Sequence, residues 1–145
     1  MKKSKAVWWI EISVFMLILL FAYTAMSKLV AFSAFTREMY NQTLPQILIV
    51  IGIYTLPEAE LLLCLLLLFS QTRLAGLWLS LGMLLIFTTY IGLVLIHFFP
   101  WVPCSCGGVI AAMGWKLHFF FNLFFLLINI MAIYFTYQER RLTGK

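Results

Sequence analysis

Two cysteines that lie one residue apart carry the strongest chemical signal in the chain. They are Cys104 and Cys106, in the segment PWVPCSCGGV at residues 100–109. A Cys-X-Cys pair closes a disulfide only with strain, because residues i and i+2 of an extended chain lie near the upper end of the roughly 4.4–6.8 Å allowed between bridged Cα atoms. Strained disulfides are the more easily reduced and exchanged ones. The pair therefore favours a labile, redox-active dithiol.

The residues around the two cysteines favour a tight turn. Pro103 fixes the direction of approach, while Gly107 and Gly108 permit the positive φ of a sharp reversal. Two other interpretations stay open: a turn or disulfide with a structural role only, and a metal site that also uses His97 and His118. The metal site is the weaker alternative, because the spacing of the two cysteines and two histidines matches no standard zinc pattern.

The composition shows what kind of protein surrounds this segment. Of the 145 residues, 64% are hydrophobic and 10% charged, and the mean hydropathy is +1.03. A soluble domain of this length cannot bury so much apolar surface, so the excess must face lipid. The net charge of +5 does not indicate nucleic-acid binding, because the basic residues sit at the ends of apolar runs. The chain is predicted to be an integral membrane protein.

Four apolar segments are long enough to cross a bilayer, which takes about 20 residues per helix. They cover about residues 7–31, 46–69, 74–99 and 115–137. A short polar link at residues 70–73 makes the second and third segments an antiparallel hairpin. The prediction is an all-α bundle of four transmembrane helices that forms a single domain over residues 1–145.

The basic residues also predict how the bundle is oriented. Seven Lys and Arg residues belong to the two termini and the 70–73 link, whereas three belong to the other two loops. We therefore expect both termini in the cytoplasm and the cysteines on the outer side, where disulfides persist. The rival interpretation is a cleaved N-terminal signal peptide, which the length of the first apolar stretch disfavours.

Charged residues inside a membrane are costly and therefore mark candidate sites. In the second segment, Glu58 and Glu60 lie two residues apart and point about 200° from each other, so at most one faces the bundle interior. Glu60 is the predicted inward residue, either as a functional group or as a hydrogen-bonded carboxyl that joins helices. Lys28, near the outer end of the first segment, either takes part in function or extends to the membrane interface.

The fourth segment carries a polar stripe, since His118, Asn122 and Asn129 follow an i, i+4, i+11 pattern. His118 is the best-placed general base for activating a cysteine thiolate. The alternatives are an inert interfacial histidine and asparagines that only bridge neighbouring helices. Cys64 is predicted to be buried, inert and too deep to pair with the other cysteines.

Several motifs, in this order, resemble the MauE/DoxX family of redox-associated membrane proteins: SKLVAF, LPEAELLLCLLLL, TRLAGLWLSLGMLLIFTTYIGLVL and VPCSCGG. The specific matches are Lys28-Leu29, Glu60 and the pattern Pro103-Cys104-x-Cys106-x-Gly108. The family motif usually reads Cys-Gly-Cys-Phe-Gly. Ser105 and Gly107 depart from it, so the cysteines match while their packing does not.

The resemblance implies a redox role in the bacterial inner membrane, because the family is associated with maturation of a disulfide-rich periplasmic dehydrogenase subunit beside a thioredoxin-like partner. Cys104 and Cys106 would then exchange disulfides with such a partner or with a disulfide-containing client, and His118 would assist. A quinone held among the helices is one route for the electrons. The alternative is a non-catalytic DoxX-like subunit or assembly factor of a respiratory complex. A transporter is weaker, since four spans would need a homo-oligomer.

Overall fold

The computed structural model describes residues 5–99 and 113–144. In these ranges the chain forms five helices: α1 (Lys5–Val30), α2 (Phe32–Tyr40), α3 (Gln46–Leu68), α4 (Arg73–Leu95) and α5 (Trp115–Thr143). All but α2 are long and apolar enough to cross a membrane. The predicted fold class of a helical, multi-pass membrane protein with four spanning helices is therefore confirmed.

The four long helices form an up-and-down bundle. Each packs against its neighbours in the chain, and α5 packs back against α1, which closes the ring. One end of the bundle, called here the link end, carries the start of α1, the short connection between α3 and α4, and the end of α5. The opposite end, called the loop end, carries α2, the end of α4 and the start of α5. Leu17, Leu67, Leu77 and Ala132 are completely buried in the centre.

The distribution of side chains fits a lipid environment. Large apolar residues such as Phe15, Ile86 and Phe120 are exposed along the outside of the bundle, whereas several polar residues of the spanning helices are buried inside it. Lipid imposes this arrangement, because an apolar side chain loses nothing by facing acyl chains but an unpaired polar group there is costly. Asn129 and Ser80, both fully buried, share a 2.6 Å side-chain hydrogen bond between α5 and α4.

Helix α2 was not predicted, since residues 32–44 were expected to be a loop. Its residues Phe35 and Met39 lie one turn apart and bury against Ile49 and Ile53 of α3. The helix is only nine residues long, too short for a spanning segment, and isolated helices of this length are unstable. Its packing against α3 stabilises it. This contact joins two separate helices, so the local sequence of α2 does not predict it.

The end of α4 also differs from the prediction, which placed it near residue 99. The helix ends at Leu95 because His97 adopts a left-handed conformation with φ of 57°. The amide of His97 donates to the Val94 carbonyl at 3.1 Å, and that of Phe98 to the Leu93 carbonyl at 3.0 Å. This pair of bonds is a Schellman motif, which terminates a helix. Glycine usually occupies the left-handed position, so a histidine there did not indicate that α4 would end.

Helix α5 is longer than its predicted range of 115–137, because its polar C-terminal residues continue the helix beyond the apolar stretch. Gly144 ends it in a left-handed conformation with φ of 66°. Arg140 and Arg141 lie in the last turn, where positive charge interacts favourably with the helix dipole.

The hairpin predicted for the second and third segments is confirmed and is tightest at the link end. The Thr72 hydroxyl donates to the Leu66 carbonyl at 2.9 Å. In the first turn of α4, a Cβ atom on Gly76 would lie 3.1 Å from the carbonyl carbon of Leu66 and 3.2 Å from Leu67 Cδ2. Backbone of one helix occupies the space next to this glycine, so its lack of a side chain lets α3 and α4 approach closely.

We predict that Gly76→Leu destabilises the bundle by about 1–3 kcal/mol, the usual cost of overpacking a filled site. The control is Gly82→Leu on the same helix, because a Cβ at Gly82 meets no atom within 4 Å. Unfolding of both variants in detergent micelles, followed by circular dichroism, measures the difference. Equal stability of the two variants would contradict the close-approach argument.

Candidate functional site: a polar cavity in the loop-end half of the bundle

The central feature of the site is a buried ion pair between α1 and α3. Lys28 Nζ lies 2.7 Å from Glu60 Oε1, and the two side chains are 5% and 3% exposed. Glu58 is exposed, so the prediction that Glu60 is the inward carboxylate is confirmed. The idea that Lys28 extends to the interface is wrong. A charged partner inside the bundle holds the ammonium group there, because neither charge is solvated by lipid.

The Lys28 ammonium makes two further contacts. It donates to the Thr24 carbonyl on its own helix at 3.3 Å, and it lies 5.9 Å from the centre of the Phe35 ring in α2. A cation over an aromatic face is attracted by the ring quadrupole. The ammonium therefore joins α1 and α3 through Glu60 and also contributes to holding α2 in place.

The second oxygen of Glu60, Oε2, is buried and receives no hydrogen bond from any residue in the described part of the chain. The Thr24 hydroxyl lies near the carboxylate, but it donates to the Phe21 carbonyl at 3.2 Å. A buried polar atom without a partner is rare and costs about 1–3 kcal/mol. Such an oxygen is able to accept a hydrogen bond from a bound molecule.

Glu60 and Lys28 lie in the wall of a cavity of about 390 Å³ to which all five helices contribute. This volume falls within the usual range for small-molecule sites, about 300–1,000 Å³. Most of the wall is apolar or aromatic, with a few polar groups that converge on the interior. The lining residues are Leu20, Phe21, Thr24, Lys28, Phe35, Met39, Gln42, Leu44, Leu48, Gly52, Leu56, Glu60, Leu84, Ile86, Phe87, Tyr90, Ile91, Trp115, His118, Phe121 and Asn122.

The predicted polar stripe of α5 faces inward and supplies two residues of this wall. His118 lies in the first turn of α5 and Asn122 one turn further, both buried. Asn129 is also buried but does not line the cavity; it bonds to Ser80, as expected for an asparagine that bridges helices. The fold therefore gathers Lys28, Glu60, His118 and Asn122, which are far apart in the sequence, around one space.

Two polar residues of the wall escaped the sequence analysis. The Tyr90 hydroxyl of α4 donates to Gln42 Oε1, and Gln42 Nε2 donates to the Glu38 carbonyl at 3.1 Å. Gln42 is buried just after α2, in a region predicted to be an exposed loop. The presence of Tyr90 in a spanning segment was only a weak indication of a cavity residue, because tyrosine is common near membrane interfaces.

The cavity reaches the lipid-facing surface of the bundle between α3 and α4. Leu48 and Ile86 both line it, yet they are 51% and 70% exposed on the apolar exterior. These helices touch closely at the link end, where Gly76 lies against Leu66. Toward the loop end both helices line the cavity, and the exposed Leu48 and Ile86 offer a molecule dissolved in the bilayer a sideways route between them.

Cys104 and Cys106, with the turn residues Pro103, Gly107 and Gly108, lie outside the described residues.

The remaining candidate metal ligands and the third cysteine lie within the described residues. His97 is exposed on the loop-end surface and does not line the cavity, unlike His118. Within residues 5–99 and 113–144, no group of three His, Cys, Asp or Glu side chains is placed to hold a metal ion. Cys64 is buried in α3, as predicted, with its Sγ 3.7 Å from the Ile18 carbonyl.

We predict that Glu60→Gln and Lys28→Met each destabilise the protein by about 3–5 kcal/mol, because each leaves one buried charge without its partner. The double variant Lys28→Met/Glu60→Leu should recover much of that loss, since it removes both charges. Glu58→Gln, two residues away and exposed, is the matched control and should behave like the wild type. Unfolding free energies in detergent measure these effects, and additive losses in the double variant would contradict a direct pair.

Comparison with known proteins adds one finding. Residues 4–135 match the family model described as methylamine utilisation protein MauE. Neither the curated proteins nor the solved structures gave a significant match. Because the match extends over most of the sequence, this chain belongs to the MauE family.

Proposed function

We propose that this protein is a bacterial inner-membrane factor for the maturation of an envelope protein, and that it exchanges thiols and disulfides through Cys104 and Cys106. The loop end would face the outer side, as the distribution of basic residues indicates. The partner would be a thioredoxin-like protein or a disulfide-containing client. Membership of the MauE family supports a role in the biogenesis of an enzyme system.

The observation that carries the proposal is the position of His118. This histidine lies in the first turn of α5 at the loop end, shortly after the connection that contains both cysteines, and it faces a polar cavity rather than lipid. Phe99 and Met113 flank that connection in the sequence. A chain extends at most about 3.3–3.6 Å per residue, so this connectivity supports a thiol site at the loop end of the bundle.

The proposed exchange has two steps. One cysteine attacks a disulfide of the partner as a thiolate, which forms a mixed disulfide and releases a partner thiolate. The other cysteine then attacks the mixed disulfide, so that Cys104 and Cys106 become joined and the partner becomes a dithiol. His118 accepts the proton of the attacking thiol. Two electrons and two protons pass between the dithiols, and the same steps in reverse oxidise the partner.

A second candidate function has its own supporting observation. The buried Lys28–Glu60 pair fixes helices together, which suits a non-catalytic membrane subunit or assembly factor. That candidate requires the ion pair but not the cysteines. The redox function requires the cysteines, independently of what the ion pair contributes to stability. Cysteine variants therefore discriminate between the two candidate functions.

We predict a reversible two-electron transition of Cys104 and Cys106 between about −120 and −270 mV, the range of exchange catalysts. Purified Cys64→Ser protein is equilibrated in defined thiol buffers, trapped with a mass-shifting alkylator and read by intact mass. Adding Cys104→Ser or Cys106→Ser should abolish the transition. A pair that never oxidises, or that resists strong thiol reductants, would leave the non-catalytic function as the better account.

We predict that His118→Gln slows the reaction of the reduced pair with a small aromatic disulfide by about 10²-fold at neutral pH, the lower end of the contribution of a general base. The defect should shrink at alkaline pH, where the thiolate forms without assistance. His97→Gln is the control, because His97 is exposed and outside the cavity. Equal rates for both variants would remove His118 from the mechanism.

A further inference from the structure

We infer that the cavity binds the head group of a membrane quinone, in its quinone and hydroquinone forms, and so provides the electron acceptor for the cysteine pair. The electron-accepting role rests on the proposed function. The binding site itself rests on the access route, the wall and the polar groups of the cavity.

The access route selects a molecule that resides in the bilayer. The opening lies between α3 and α4, where Leu48 and Ile86 form part of both the wall and the lipid-facing surface. A water-soluble ligand would have to cross acyl chains to enter there. An apolar ligand with a long tail keeps its tail in the membrane and places only its head in the cavity.

The wall suits a flat ring. Six aromatic side chains line the space: Phe21, Phe35, Phe87, Tyr90, Trp115 and Phe121. Aromatic side chains pack against planar rings in offset-stacked or edge-to-face arrangements. The volume of about 390 Å³ lies at the small end of the range for ligand sites, which fits a head group whose tail extends outward through the opening.

The polar groups select a neutral head with a hydroxyl group. Glu60 Oε2 is buried and unpartnered among the described residues, so it calls for a hydrogen-bond donor. Lys28 already balances the charge of Glu60 at 2.7 Å, so a charged head group would bring an uncompensated charge into an apolar space. A hydroquinone hydroxyl donates one hydrogen bond and adds no charge.

The cysteine content explains why an acceptor is required. The chain has three cysteines, and Cys64 is buried against Ile18 of α1, which leaves no second dithiol to relay electrons. In the step proposed here, the thiols of Cys104 and Cys106 lose two protons and two electrons as their S–S bond forms. A quinone takes up both, and its two carbonyl oxygens become the hydroxyls of a hydroquinone.

Titration of the purified full-length protein with a decyl-tailed benzoquinone, and with its hydroquinone, tests the site through quenching of tryptophan fluorescence. The test variant is Gly52→Leu. Gly52 lines the cavity, and a Cβ there meets only Met39 Cε at 2.9 Å and Leu56 Cδ1 at 3.7 Å, both ends of flexible side chains. The two atoms nearest to the added Cβ are apolar, so the new side chain enters from an apolar part of the wall and displaces the Met39 methyl group. Gly82→Leu adds the same side chain where a Cβ meets no atom within 4 Å.

The expected result is saturable binding that weakens at least about tenfold, about 1.4 kcal/mol, in Gly52→Leu and is unchanged in Gly82→Leu. The Cys104→Ser/Cys106→Ser variant should bind like the wild type but should no longer reduce the quinone. Non-saturable quenching, or equal affinity of the two leucine variants, overturns the inference, as does a co-purified phospholipid that the quinone fails to displace. Specific binding without quinone reduction by the reduced wild type confirms the binding site and counts against the redox function.

Discussion

The structure depends on a single ion pair in a medium that solvates neither of its members. Lys28 and Glu60 are separated by 2.7 Å and are almost completely buried. Either charge alone would be expensive inside the membrane, so each keeps the other there. The pair ties α1 to α3, and the position of Lys28 beneath the Phe35 ring extends the connection to α2. Displacement of either partner would disturb three helices and the wall of the cavity.

The two ends of the bundle differ in how they are joined. At the link end, Gly76 allows α4 to lie against α3, and Arg73 lies 3.3 Å from Glu11 of α1. Farther along α4, Ser80 is bonded to Asn129 of α5. At the loop end, residues of α3 and α4 line a cavity that α2 and the Tyr90–Gln42 hydrogen bond help to enclose. The tightly packed link end thus supports the loop end, where the cavity can accept a ligand.

This difference between the two ends is compatible with the proposed redox role in the membrane. A thiol pair in the connection after α4 would act at the surface, whereas the cavity below has polar groups in an otherwise apolar wall. His118 lies in the first turn of α5, shortly after that connection in the sequence, and faces the cavity. Among residues 5–99 and 113–144, Glu60 Oε2 has no hydrogen-bond partner, which leaves this oxygen able to accept a hydrogen bond from a molecule in the cavity.

The sequence alone determined the four spanning helices, the inward orientation of at most one of Glu58 and Glu60, the polar face of α5 and the burial of Cys64. These properties follow from hydropathy and from the 3.6-residue period of a helix, both of which are local. Only the tertiary structure decided that Lys28 turns inward, that α2 is a helix and that four distant polar residues share one cavity. Lys28 and Glu60 are 32 residues apart, and α2 is held by its contacts with α3. Such contacts arise from the approach of separate helices, which local sequence patterns do not encode.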